Sequence, residues 1–268
     1  MRGNALRTMI SCNFIDTSVF QFSITIKMPT VVFACKSNSC RSQMAEGWAR
    51  KWLEDRIIML DNTLQEFREE MDDVNDNTAQ LKLTQNVERH IEILKDTIIA
   101  SVALDYNSVF VSSHDNAMER PQRKNVKSKA VDAMGMDGVD ISSFQPKTIE
   151  EIIPFMKNKN EQMDVSGKLS SSLELGDVII DEINMDDVIK DSSDQEKPVD
   201  KLIVLCSCGQ DMKYKLARRS KSVEEWNIDP PTSASKSGEG DVAYRRVSLE
   251  IKKEVNILMK SLLGNPKF

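Results

Sequence analysis

The chain has 268 residues, with 40% hydrophobic and 29% charged side chains, the proportions of a soluble α/β protein of one large domain or two small ones. Its formal net charge of −6 excludes a general nucleic-acid binder but not a locally positive site for a small anion. No apolar run approaches the length of a membrane span, so no membrane association is expected.

Residues 1–27 carry Arg2, Arg7 and Lys27, several hydroxyl side chains and a single acid, Asp16. Three readings stand side by side for this extension: a transit-like segment directing organellar import, a disordered tail, or untranslated sequence preceding a true start at Met28. Residues 28–268 are expected to form the working domain, in a cytoplasmic, reducing setting.

Residues 30–34 (TVVFA) are β-branched and aromatic and predict a buried strand. Residues 35–40 are small and polar and predict a loop. Met44, Ala45, Trp48, Trp52 and Leu53 then recur at helical spacing over 41–54, with the Met44, Trp48 and Trp52 stripe read as core. Strand, tight loop and helix open a parallel α/β sheet. An insert at about 56–105 predicts two helices forming a surface hairpin, in which His90, among Glu88, Arg89 and Glu92, is expected to be exposed and inert. Residues 108–112 (SVFVS) predict the second strand, followed by His114, which is read as structural. Helices are predicted over 125–134 and 148–156. An acid-rich second insert at 157–199 has a solvated composition. Residues 200–206 (DKLIVLC) predict a strong buried strand, and 223–228 (VEEWNI) a shorter one stopped by Asp229-Pro230-Pro231. A long amphipathic helix is predicted over 241–263.

The five cysteines, Cys12, Cys35, Cys40, Cys206 and Cys208, are too few and too unevenly placed for a disulfide scaffold. Two close pairs predict reduced, working thiols, while Cys12 reads as a small buried hydrophobe. The segment Cys35-Lys36-Ser37-Asn38-Ser39-Cys40-Arg41-Ser42 suits a tetrahedral oxyanion. Successive inward backbone N–H groups from Lys36, Ser37, Ser39 and Cys40 would make an anion nest, and the following helix adds its positive end. Arg41 supplies a planar clamp for two oxygens. That field favours the Cys35 thiolate, a nucleophile that Ser42 could hydrogen-bond. Asn38 tolerates a left-handed backbone and can tie the loop through its amide. Cys40 could form a protective disulfide with Cys35 or simply pack. No His/Cys set has zinc spacing.

VVFACKSNSCRSQMAEGWAR resembles the signature of the low-molecular-weight protein tyrosine phosphatase superfamily. It is most similar to the thioredoxin-coupled arsenate reductase branch, in which Ser-Gln-Met-Ala-Glu-Gly, here Ser42 to Gly47, follows the arginine. The phosphatase branch usually has proline where Gln43 stands. Lys147-Thr148-Ile149, Leu205-Cys206, Glu225-Trp226 through Asp229-Pro230, and Arg245-Arg246-Val247 extend the likeness in pieces over about 150 residues. The resemblance implies a three-layer sandwich around a four-stranded parallel sheet, with the loop at the carboxyl end of the first strand and the two inserts outside the pattern.

It also implies roles. Asp229 corresponds to the family's general acid in its Asp-Pro pair; an ordinary turn residue is the other reading. No tyrosine follows Pro230, unlike many phosphatases of the family. Cys206 corresponds to the cysteine that attacks arsenylated Cys35, releasing arsenite and forming a disulfide. The third relay cysteine of that branch would fall near Lys213 and is missing, so Cys208 is the substitute, and thioredoxin, glutaredoxin or a glutathione-type thiol the reductant. Ser37 stands where relatives have glycine, and strain is expected if that position requires positive φ. The implied function is arsenate reduction by a monomer with no bound cofactor. A phosphatase working through phosphocysteine is the alternative, and a non-catalytic anion-binding or redox-sensing module a further one.

Overall fold

The structure, a computed structural model, describes residues 29–71, 78–111, 122–153, 198–207 and 209–264. The N-terminal extension, most of the acidic insert, Cys12, His114 and Cys208 lie outside the described residues.

Four parallel strands form one sheet in the order β2-β1-β3-β4. Strand β1 (Thr30–Cys35) is buried at every residue, as an apolar, β-branched strand with neighbours on both sides and helices on both faces must be. Its side chains alternate between two cores. Val31, Phe33 and Cys35 face one core, with Met44, Trp48 and Ile251; Val32 and Ala34 face the other, with Leu104, Ile149, Ile152 and Leu216. This two-sided burial is the three-layer sandwich the sequence implies.

Strand β2 (Ile98–Ala103) pairs with β1 from Thr30↔Ile98 to Cys35↔Ala103. The second strand is therefore not residues 108–112. Ser108 closes a 3-10 turn (Tyr106–Ser108), and Phe110 makes only an isolated antiparallel bridge to Arg123. On the other side β1 pairs with β3 (Val199–Val204), and β3 with β4 (Ser220–Glu225), the edge strand, which begins three residues earlier than its sequence pattern suggests.

The first helix, α1 (Arg41–Met71), does not stop near Glu54 but runs on through the insert. It returns as α2 (Thr78–Asp96), so the insert is one extended helix and a partner rather than a separate hairpin. Leu60 and Leu64 of α1 and Val87, Ile91 and Leu94 of α2 join the same core as β1, which is why the extension stays folded against the body. His90 is half-buried between these helices, its Nε2 without a hydrogen-bond partner, and burial first and Arg56 second push its pKa down. It is not the exposed residue expected. Helix α3 (Ser128–Gly135) and residues 149–153 agree with the sequence pattern, α4 (Gln210–Arg218) follows β3, and α5 (Val242–Leu263) closes the chain. Met44 and Trp48 are core residues and Trp52 packs against them, as the stripe predicts. Trp48 also donates from Nε1 to Ser248 of α5 (3.1 Å).

Two glycines fix close approaches. A Cβ at Gly47 would come within 2.7 Å of Ile141 Cγ2, so glycine lets α1 sit against that segment. Gly209, at φ +67°, caps α4, and a Cβ there would meet the Leu104 carbonyl oxygen at 2.7 Å. It thereby brings the chain after Cys206 hard against the end of β2.

Candidate active site

Three loops meet at the carboxyl edge of the sheet, because β1, β3 and β4 are adjacent and parallel. Ladder bonds continue past the strands: Leu205 N–H donates to Ala34 O (2.8 Å) and Trp226 N–H to Val204 O (2.9 Å). The segments after Cys35, Cys206 and Glu225 are thus carried to one place. They enclose a cavity of about 630 Å³ whose lining includes Cys35, Arg41, Cys206 and Asp229.

The residue 35–41 loop is held from outside. The carbonyls of Cys35, Lys36 and Ser39 accept the backbone N–H groups of Leu104 (2.9 Å), Asp105 (3.0 Å) and Lys127 (2.9 Å), and the Cys40 carbonyl accepts that of Met44 (2.9 Å). No backbone N–H of residues 36–40 donates to another backbone group among the described residues. With the carbonyls engaged elsewhere, the amides remain available to an anion, which is the condition for a nest.

Asn38, at φ 48°, is the one non-glycine residue with positive φ among the described residues. Ser37 is not strained in that way: the left-handed position falls one residue later, on a side chain that tolerates it. Asn38 donates from Nδ2 to Ser42 Oγ (2.9 Å) and accepts at Oδ1 from the Lys147 backbone N–H (2.7 Å) and from Gln43 Nε2 (2.8 Å). Ser42 Oγ in turn lies 2.9 Å from Cys35 Sγ. With its hydrogen directed to the sulfur, Ser42 stabilises a thiolate, while Asn38 fixes the hydroxyl oxygen. Ser37 and Ser39 bond each other through their hydroxyls (2.8 Å).

Arg41 opens α1 and is half-buried. One guanidinium N–H donates to the Ile228 carbonyl (2.7 Å). That bond ties the anion clamp to the loop carrying Asp229. This loop is itself anchored by alternating buried residues, Trp226, Ile228 and Pro231, with Trp226 against Phe33 of β1 (ring centroids 5.9 Å apart). Asp229 falls between the anchors, exposed and lining the cavity.

Cys35 is free and 4% exposed. Cys40 is also free and buried; burial first, then Cys35, pushes its thiol up to about 12 against the opposing pull of Lys127 and Arg41. Cys40 therefore packs as a neutral thiol. Cys206, partly buried two residues past the end of β3, is disulfide-bonded. Among the described residues, no group of three or more His, Cys, Asp or Glu could hold a metal ion, and no helix is long and apolar enough to cross a membrane.

Residues that sequence reasoning assigned no role support the loop from behind. Gln43 Nε2 also donates to the Gln145 carbonyl (2.9 Å), so its amide bridges Asn38 to the segment before Lys147. The Lys147 ammonium meets Glu46 Oε2 (3.1 Å); Glu46, 2% exposed, also accepts from Arg50 (2.7 Å) and from the Ser101 hydroxyl. The Phe144 ring lies 5.9 Å from the Lys147 nitrogen and 5.7 Å from the Arg50 guanidinium carbon. Their signal in the sequence is weak, because Gln43 and Glu46 look like ordinary helix residues until Lys147 is folded onto them. Replacing Glu46 with Ala leaves Lys147 and Ser101 without their buried acceptor, and a loss of about 3 kcal/mol is expected in denaturant unfolding. An unchanged midpoint would show that water replaces the carboxylate.

These features define a class: an α/β protein with a Cys-x5-Arg loop at the carboxyl end of a central parallel strand. No family model matches the chain. Arsenate reductase 1 of Bacillus cereus is 36% identical over 62 residues, which cover 19% of this chain and 46% of that protein, so the match spans less than half of the relative. An arsenate reductase in the phosphate-binding state superposes with 19% identity, 88% of this chain and 99% of the other, at a TM-score of 0.41. A low molecular weight protein tyrosine phosphatase from T. tengcongensis does so with 14% identity, 87% and 99% coverage, and a TM-score of 0.38. The chain is thus similar to arsenate reductases over a limited stretch, and its loop and strand order agree with the arrangement its sequence resemblance implies.

Proposed function

We propose that this protein is an arsenate reductase using Cys35 as nucleophile and Cys206 as the reducing thiol. The observation that carries the reading is that Cys35, Arg41, Asp229 and Cys206 line one cavity, from three loops that the parallel sheet brings together. The Cys35 thiolate attacks arsenic in arsenate held by Arg41 and the loop amides. A sulfur–arsenic bond forms, an arsenic–oxygen bond breaks, and the departing oxygen leaves as water with a proton from Asp229. The Cys206 thiolate then attacks Cys35 sulfur. A disulfide forms, the sulfur–arsenic electron pair stays on arsenic, and arsenite departs as arsenic falls from the +5 to the +3 state. Cys208 attacks Cys206, freeing Cys35, and a thioredoxin- or glutathione-type thiol reduces the second disulfide.

A phosphatase reading needs the same Cys35, Arg41 and Asp229 but gives Cys206 no task, and Pro231 stands where a phosphatase often has tyrosine. Arsenate and a chromogenic aryl phosphate assayed together, with and without thiol, separate the two. Thiol-dependent loss of arsenate is expected; aryl phosphate turnover alone would overturn the reductase reading. Asp229→Asn should slow the arsenylation step by about 10²-fold. Full retention of rate would reduce Asp229 to a turn residue.

A further inference from the structure

The cations around the cavity are not equally available. Lys213 is paired with Glu225 on the rim and Lys147 with Glu46 behind the loop. Lys129, two residues from Lys127, pairs with Asp241 (2.7 Å). Lys127 differs from all three. Like Lys36 in the loop itself, it lines the cavity with Cys35, Cys40 and Arg41, and no carboxylate pairs with it among the described residues; unlike Lys36, it comes from a separate segment packed against the loop. Its backbone N–H donates to the Ser39 carbonyl (2.9 Å), which fixes the residue against the loop. Its charge reaches the loop interior, where it acts on the Cys40 thiol in the same sense as Arg41. An ammonium held beside an anion site in a chain of net charge −6 keeps its solvation cost low by staying exposed, and gains most when a second negative charge enters.

We propose that Lys127 is a substrate-binding residue of this site, a second cation beside Arg41 that selects tetrahedral oxyanions in their doubly charged form. The inference rests on the oxyanion-site reading above and adds to it the charge state of the substrate. Arg41 and the nest amides provide for one charge and the oxygen geometry; Lys127 supplies the increment for the second.

Calorimetric titration of the full chain with inorganic phosphate, at low salt and at roughly pH 5.5 and 8, tests this, since phosphate takes its second charge in that interval. The unaltered protein should bind more tightly at the higher pH. Lys127→Gln should lose about five- to tenfold in affinity there and much less at the lower pH, while Lys127→Arg stays within about twofold of the parent. In arsenate turnover, Lys127→Gln should raise KM with kcat nearly unchanged. Equal phosphate affinity of Lys127→Gln and the parent at both pH values overturns the inference alone. Equal losses in the Gln and Arg variants also overturn it, because the residue would then act through the shape of the loop. Absence of any phosphate binding by the parent overturns the oxyanion-site reading itself, and this inference with it.

Discussion

Cys35→Ser should abolish arsenate turnover, with a loss of at least about 10⁴-fold, while the folded protein still binds inorganic phosphate. Cys35 ends a strand buried on both faces, and its sulfur sits 2.9 Å from Ser42 Oγ, so serine fits the space without a cavity. The amides of residues 36–40 and the Arg41 guanidinium are untouched by the change. What disappears is the polarisable sulfur nucleophile of the proposed scheme: a hydroxyl at the same place is a far weaker nucleophile and cannot carry the sulfur–arsenic bond. Single-turnover kinetics with arsenate and a binding titration with phosphate measure the two halves separately. Turnover by the Cys35→Ser protein would remove the nucleophile from the scheme. Loss of phosphate binding along with turnover would mean that the loop had not formed.

Cys206→Ser should stop arsenite release and leave the first chemical step intact. In the proposed scheme Cys206 acts only after the oxygen has left, and Arg41 and Asn38 are held independently of it, by the Ile228 carbonyl and by Ser42, Gln43 and Lys147. The variant should therefore consume arsenate once per chain and stall as the Cys35 adduct, detectable by mass, and any aryl phosphate hydrolysis should persist within about threefold. The phosphatase reading expects no stalled adduct and no change in either activity. Multiple turnovers of arsenate by Cys206→Ser would sink the relay, whatever the result for Cys35.

Cys40 bears on both experiments. Burial, the first cause of its raised pKa, persists in both variants, so Cys40 should not substitute for Cys35 in the first or for Cys206 in the second. Residual activity in either variant would be tested by removing Cys40 as well.

The sequence by itself determined a strand over 30–34, a loop over 35–40, a helix opening at Arg41, a strand over 200–206 that the structure has at Val199–Val204, and the last helix. Each combines a strong local pattern with a burial that pattern demands: a β-branched run for a central strand, a 3.6-residue stripe for α5. Only tertiary structure decided between residues 98–103 and 108–112 as the second strand. Both are short apolar runs, and what distinguishes them is hydrogen bonding to β1, a contact some seventy residues away in the chain. Local pattern likewise could not show that α1 continues to Met71, because its extension is held by Leu94 and other residues of α2. At the site, Asn38 and Ser42 were legible from the loop itself, whereas the supports supplied by Gln43, Glu46, Lys147 and Lys127 were not. Those residues join the loop through partners up to 109 positions distant, and a spacing of that kind leaves no periodic trace in a single sequence.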